Sequence, residues 1–507
     1  MARKVFEKVQ HTRPRSSGFD LSHDRKMGIR LGDLVPCYVQ EILPGDEFMV
    51  KTELMLRFAP MIAPVMHRID AYVHYFFVPN RIVWSQWEDF ITGGQDGTSS
   101  PTMPEIDSED DPLYREGSLA DYLGLPVNTA GVNSNKYRAS ALPFRAYQLI
   151  WNDYFRDETL NIELDVETAT KINITTLRKR SWEKDYFTSC LPWTQRGPEV
   201  EIPATTTFTP DYKTQTEIRD SAGGGLNAGG DLQANASGLE ISGAVNVYTD
   251  NLEASTEYDT TITINDLRTA SALQRWLEKN ARGGYRYIEQ LLSHFGVVSS
   301  DKRLQRPEYL GGGKQPVVIS EVLNTTGEAG GLEQGNMAGH GISVGTTNRF
   351  KRRFEEHGWV IGVLSVLPKT GYYQGVPREF TRMDKHDYYW PEFANLGEQE
   401  VFTDEVWHDF SDTQDAQIKT FGYQQRYAEY KYKQSSVHGP FRSTLEYWHM
   451  DRKFSTEPSL NAAFVQANPT NRIFAVTEGD NQNLWLQVHN NVKAKRMMPF
   501  FGIPSLR

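Results

Sequence analysis

Between Phe48 and Phe58 the chain alternates without interruption. Phe48, Val50, Thr52, Leu54, Leu56 and Phe58 fall on one side, and Met49, Lys51, Glu53, Met55 and Arg57 on the other. A period of two marks a strand with one buried face. Ahead of it, Val39–Leu43 reads as a strand that ends in LPGDEF, a turn built on Pro44, Gly45 and Asp46. Ala71–Val78 (AYVHYFFV) is apolar on both faces and reads as a central strand, with His74 inside it as a hydrogen-bonded core histidine. Trp359–Leu367 is almost continuously apolar, hence a buried strand; further strands are expected at Arg472–Thr477 and Leu484–Val488.

Helical periodicity is confined to a few places. Residues 266–313 predict two helices. The first carries Leu267, Ala270, Leu273, Trp276 and Leu277 on one face, with Asp266 as N-cap and Gly283 and Gly284 as its stop. The second carries Ile288, Leu291, Leu292 and Phe295 and ends at Gly296. Ala141–Phe155, with Pro143 near its first turn, predicts a third, with an aromatic stripe of Phe144, Tyr147, Trp151, Tyr154 and Phe155.

The chain is 507 residues long, with 40 glycines and 25 prolines, which points to many turns and long connections: one elaborated all-β domain or two to four smaller ones. Two cysteines, Cys37 and Cys190, make no disulfide framework and read as buried thiols. MARKVFEKVQ has no apolar core after its charges, and no run approaches the ~18 apolar residues of a membrane span. The expectation is a soluble protein made in a reducing cytoplasm.

Charge is uneven. The net is −11, yet residues 1–30 hold eight Lys/Arg against three carboxylates, and the last fifteen residues hold four Lys/Arg and no acid. Basic ends on an acidic body suit a protein whose termini meet a polyanion, and they equally fit two solvated tails. The candidate contacts are Arg3, Lys4, Arg13, Arg15, Lys493, Lys495 and Arg496. Residues 1–34, charged and turn-rich, read as a basic arm that orders against a neighbour. Two further stretches mix cations with rings: Arg349 to Phe354, and Phe421 to Lys433. Such mixtures bind single strands through phosphate contacts and base stacking. The alternating Tyr423, Tyr427, Tyr430 and Tyr432 also match a half-exposed strand in a subunit contact, and they are the candidate interface aromatics.

Catalytic patterns fail on context. Gly341-Ile342-Ser343-Val344-Gly345 fits G-x-S-x-G, but it lies between a glycine-rich loop and a segment without helical period, not on a strand–turn–helix elbow. Gly223 to Ala228 fits a loose dinucleotide fingerprint without its βαβ setting, and Gly313-Lys314 lacks the rest of a P-loop. Histidines are scattered, and no cysteine cluster has zinc spacing. The acidic stretch Asp107, Glu109, Asp110 and Asp111 lacks calcium-loop spacing and reads as a solvated loop, leaving any metal unknown. No cofactor is expected.

Longer phrases carry more. ARGGYRYIEQLLSHFGV and DKRLQRPEYLGGG (residues 281–313), SSGFDLSHDRKMGIRLGDLVP (16–36), FFVPNRIVWSQWEDFITG (76–93), LPFRAYQLIWNDYFRDETL (142–160), DYFTSCLPWTQRG (185–197), TGYYQGVPREFTRMDKHDYYWPEFANLGEQEV (370–401), FGYQQRYAEYKYKQSSVHGPFRSTLEYWH (421–449) and VKAKRMMPFFGIPSLR (492–507) stand in consistent order. Together they resemble the major capsid proteins of Microviridae phages, in particular the gokushovirus-like branch. The resemblance covers nearly the whole chain except 95–140, 201–265 and parts of 314–350.

It implies a mainly β fold: an eight-stranded antiparallel jelly roll of viral capsid type, with large loop insertions and several short helices. One capsid domain would span 35–507 after the arm. The Thr-, Gly-, Ala- and Asn-rich segment 201–265 would be a variable insertion and candidate surface protrusion. The implied function is structural, not enzymatic: a sixty-copy T=1 shell around circular single-stranded DNA, assembled in the bacterial cytoplasm and residing in the virion. Its implied partners are itself, the genome, other phage structural or DNA-binding proteins and a host cell-surface receptor, with no membrane insertion. The rival reading from composition alone is a carbohydrate-binding or carbohydrate-hydrolysing jelly-roll protein.

Overall fold

The computed structural model describes residues 15–107, 115–127, 138–200, 264–284, 286–323, 337–410, 419–476 and 482–501, and four short strands between 218 and 249. The chain divides into two units, Met1–Thr194 with Gly283–Arg507, and Gln195–Arg282.

The first unit is mostly antiparallel β. Its principal strands are β1 (Ser17–Asp20), β2 (His23–Ile29), β3 (Val35–Ile42), β4 (Glu47–Phe58), β5 (Ile69–Pro79), β6 (Glu308–Pro316), β7 (Val318–Leu323), β8 (Met337–Arg353), β9 (Gly358–Pro368), β10 (Glu398–Phe402), β11 (Thr420–Gln425) and β12 (Leu484–Arg496). One sheet runs β1–β12–β4–β8–β7, with β2 also on β12; the other runs β6–β5–β9–β3. All these pairings are antiparallel.

The alternation in β4 does what the pattern predicts. Phe48, Val50, Leu54, Leu56 and Phe58 enter one apolar core with Leu484, Leu486, Val488 and Val492 of β12, and with Val73, Tyr75, Val360 and Leu364 of the facing sheet. β5 and β9 are apolar on both faces because each face is covered. Phe76, Val78, Ile361 and Val363 point away from that core into a second one, closed by Phe144, Tyr147 and Ile150 of helix α1 (Leu142–Ile150). Trp151–Phe155 continues α1 as one wider π turn. Phe187, Tyr372, Val401, Phe421 and Phe464 form a third core around the β10–β11 hairpin.

The registers fix where the long connections leave. Pro79 lies opposite Gly358, and Phe77 opposite Glu308, so residues 80–307 depart from and return to one end of the second sheet. Pro368 lies opposite Ile69 at the other end of the second sheet, and Leu484 lies opposite Phe58 in the first, so residues 369–483 cross from the second sheet to the first.

Three expectations change. Residues 17–29, read as part of an arm that orders against a neighbour, form edge strands on β12 of their own chain, with Leu21 N–H donating to Val492 O at 2.9 Å. Through Lys26 their side chains alternate between half-buried and exposed, and Ile29 alone of them is fully buried, so they give little apolar signal. Arg472–Thr477 is not a strand over its described part, to Val476. Adjacent Ile473 and Phe474 are both fully buried, which an alternating strand does not allow, and Arg472 is spent on the carbonyls of Glu446, His449 and Asp451 at 2.8–2.9 Å. Third, the Tyr/Lys stretch leaves the sheet at Gln425.

The second unit contains two short antiparallel strand pairs, Ile218–Arg219 with Tyr248–Thr249 and Leu232–Asn235 with Gly238–Ile241. It also holds all but the last residue of helix α2 (Ile264–Gly283). Back in the first unit, α3 (Tyr287–Phe295) ends at Gly296 in the left-handed conformation that a glycine C-cap adopts. Neither helix is central: Leu267, Leu273 and Trp276 are about half exposed, and α3 buries no residue.

Candidate nucleic-acid and subunit interfaces

The outward face of the first sheet carries an ordered array of cations. Cross-strand registers place Lys495, Glu47 and Arg353 in one row, Lys493, Met49 and Lys351 in the next, and Asn491, Lys51 and Arg349 in a third. All are exposed except the half-buried Glu47 and Asn491. Six cations thus stand among nine positions that hold one carboxylate, on strands about 4.8 Å apart. Lys351 meets Glu47 and Lys51 meets Glu53, each at 3.1 Å, and Lys493 meets Asp20. Exposed pairs of this kind are worth roughly 0–1 kcal/mol and exchange readily for another anion.

The predicted basic contacts separate on this geometry. Lys493 and Lys495 belong to the outward face; Arg15 is exposed just before β1. Arg496, one residue beyond Lys495, is on the inward phase. Its Nε lies 3.3 Å from the buried Asp46 carboxylate, its Nη2 donates to Glu41 O at 2.8 Å, and its guanidinium sits 5.3 Å from the Phe48 ring centre. Burial pushes the Asp46 carboxyl above its ordinary range, against the pull of Leu43 N–H and of Arg496. Arg496 is therefore a structural cation. Arg3, Lys4 and Arg13 lie outside the described residues, as do Glu109, Asp110, Asp111 and Gly223 to Ala228. In the 349–354 mixture, Phe350 and Phe354 face the core and Arg352 pairs with Glu308, leaving Arg349, Lys351 and Arg353 outside. Lys51, not among the basic contacts expected from sequence, completes the array; its signal is the outward phase of the β4 alternation.

The four tyrosines separate as well. Tyr423 is half-buried on β11. Tyr427 is buried at φ 60°, a left-handed conformation held by its hydroxyl donating to Tyr388 O at 3.2 Å. Tyr432 stacks on Tyr186 at 5.7 Å beside the third core. Of the four only Tyr430 is exposed, at 49%, with Arg382 4.2 Å from its ring centre.

A family profile described as "Capsid protein (F protein)" matches residues 7–506. The chain is similar to the capsid protein VP1 of Chlamydia phage 1, at 35% identity over 99% of this chain and 97% of that protein. It is equally similar to VP1 of Bdellovibrio phage phiMH2K, with the same coverage. VP1 of Spiroplasma virus 4 is 31% identical over 97% of this chain and 96% of its own length. The chain belongs to the phage F-type capsid protein family.

Its relatives are structural capsid proteins, as the Microviridae resemblance implies, and not enzymes. In this capsid protein Ser343 is not on an elbow but mid-strand in β8, buried, donating to Pro316 O and accepting from Gln315 Nε2, both at 2.8 Å. Its hydroxyl is occupied in holding β8 to the last residues of β6. His74 lies among Tyr72, Phe155 and Tyr309, and burial together with nearby Arg180 lowers its pKa to about 4. Both cysteines are buried thiols, and burial raises that of Cys37 to about 12. Among the described residues no group of three or more His, Cys, Asp or Glu could hold a metal ion, and no helix is long and apolar enough to cross a membrane.

Proposed function

We propose that sixty copies of this capsid protein close into a T=1 icosahedral shell around circular single-stranded DNA, on an eight-stranded jelly-roll scaffold. The observation that carries this reading is the nesting of the strands. β2 pairs with β12, β3 with β9, β4 with β8 and β5 with β6. First thus meets last, second meets second-last, and so inward, which is how a long antiparallel ribbon rolls into two facing sheets of four. Viral capsid domains are a principal home of that roll.

The outward cation array supports contact with a polyanion on that face. Arg15 and the basic residues before it extend the same character, and other packaged basic phage proteins share the task. Residues 201–265, within the second unit, form the surface protrusion and, with the other outer loops, meet the host receptor. The protein works in the virion and assembles in the bacterial cytoplasm.

The test is sedimentation and negative-stain microscopy of the purified chain, with and without circular single-stranded DNA and with the other phage structural proteins supplied. Uniform shells of about sixty copies are expected. A chain that stays monomeric under every condition overturns the proposal.

A further inference from the structure

The connection 369–483 contains a short segment whose surface does not suit a free monomer. Phe380, Met383, Tyr388, Tyr389, Trp390 and Leu396 are 69%, 88%, 53%, 51%, 46% and 64% exposed. At roughly 200 Å² for each such side chain fully exposed, they present on the order of 700 Å². The largest apolar patch on a typical monomer is about 300–600 Å², whereas each partner of a standard protein–protein interface buries about 800 Å².

The segment is held in place rather than loose. Tyr389 N–H donates to the Tyr430 hydroxyl and Trp390 N–H to the Tyr427 hydroxyl, both at 3.3 Å. Trp390 Nε1 donates to Lys385 O at 2.8 Å. The Asp387 carboxylate accepts from Met383 and Asp384 N–H at 2.9 and 2.8 Å, which holds it below the usual carboxylate range. Arg382, paired with Glu429 at 3.3 Å, lies over both Tyr388 and Tyr430. Tyr, Trp and Arg in a pre-ordered cluster are the residues that dominate binding energy in protein interfaces, and ordering them in advance lowers the entropy lost on contact. A cleft of about 740 Å³ opens beside them, with Arg378, Phe380, Tyr430 and Lys433 in its wall.

The geometry points to this segment as an adhesive surface for a second copy of the same chain. Nucleic acid is a poor occupant: residues 378–396 hold three Lys/Arg against four carboxylates, and Arg378 and Arg382 are already paired with Glu405 and Glu429. A copy of the chain is the occupant that a capsid supplies in quantity, so the inference rests on the self-assembly proposed above. It shifts the contact: of the four tyrosines read from sequence, the buried Tyr427 supports the segment from within and Tyr430 borders it as an exposed ring, while the anchors are Phe380, Met383 and Trp390.

Two measurements on the full chain test it. In the first, F380D/M383D is compared with wild type for particle yield on a gradient. Both side chains are mostly in solvent, so the slow-sedimenting protein should keep its thermal midpoint while particles fall at least tenfold. In the second, a photo-reactive benzoylphenylalanine replaces Met383, and the irradiated wild-type background is read by mass. An adduct of two copies of this chain, mapped by peptide sequencing, is expected. Sixty-copy shells without that adduct, or an adduct to DNA or to a different protein, overturn the surface and leave the shell reading standing. The adduct in particles of another symmetry, or in small oligomers alone, keeps the surface and overturns the sixty-copy shell. Absence of both adduct and particles overturns both.

Discussion

Asn490 should be among the most expensive residues to truncate in the sandwich. It is fully buried on β12, and its carboxamide joins the two sheets. Oδ1 accepts from Thr52 Oγ1 at 2.7 Å within its own sheet, and Nδ2 donates to Cys37 O of β3 in the facing sheet at 3.2 Å. The Tyr75 hydroxyl of β5, also in the facing sheet, donates to Thr52 Oγ1. In Asn490→Ala the Thr52 hydroxyl loses its acceptor where no water reaches, at about 1–3 kcal/mol, and the second bond adds about 1 kcal/mol. A total of roughly 2–4 kcal/mol corresponds to roughly 30- to 700-fold faster opening. The assay is hydrogen–deuterium exchange of the unassembled chain, read on peptides from β4 and β12. Thr52→Val should cost less when Asn490 is already Ala, because the two substitutions remove one shared bond. Acceleration below about fivefold, or strictly additive costs, refutes the claim that this network ties the sheets together.

Three further outcomes follow from the same geometry. K51E/K351E/K495E should leave shells intact but weaken retained DNA, with the slope of log affinity against log salt flattened by about 2 for three lost single-strand contacts; Arg496→Gln should leave that slope alone and instead lower stability by about 2–3 kcal/mol, measured by denaturant unfolding. His74, held to about 4 against an ordinary 6.5, binds its proton less readily folded than unfolded, so stability should fall as pH drops from 6.5 to 4, by roughly 3 kcal/mol in all, and His74→Gln should flatten that part of a pH–stability curve. Deleting 201–265 should spare particle formation and reduce attachment to host cells; loss of particles on a gradient would reject that division of labour.

What was legible in the sequence was the burial of single elements. β4 announced itself by period two, and β5 and β9 by apolar residues on both faces. What stayed hidden was pairing between distant parts. Thr52 and Asn490 are 438 residues apart, and nothing local to either says that they share a bond. The edge strands 17–29 were hidden for the same reason: β12 recruits them, not their own pattern. At the candidate sites the deciding variable was phase. Lys495 and Arg496 look alike in composition, yet one faces solvent and the other Asp46. The tyrosines of 423–432 show the opposite failure. Their spacing fits a strand, but the bond from Tyr427 to Tyr388 O outweighs β propensity and turns the chain through a left-handed residue.

The sandwich is asymmetric in a way that matters for a shell. Its second sheet is covered on the outside by α1 and the aromatics around it, whereas among the described residues the outer face of the first sheet stands largely exposed. A subunit of a closed shell needs one side toward the enclosed polymer and other sides toward its copies. On the proposed reading the exposed face, with six cations in register, takes the first role. The connection 369–483, which holds the exposed aromatic segment, takes the second. The division follows from elementary physics: a flat, salt-screened array tolerates a mobile, irregular polyanion, whereas pre-ordered rings reward only a partner that fits them. Charge changes on the sheet should therefore alter what the particle holds, and changes in the 378–396 segment should alter whether a particle forms at all.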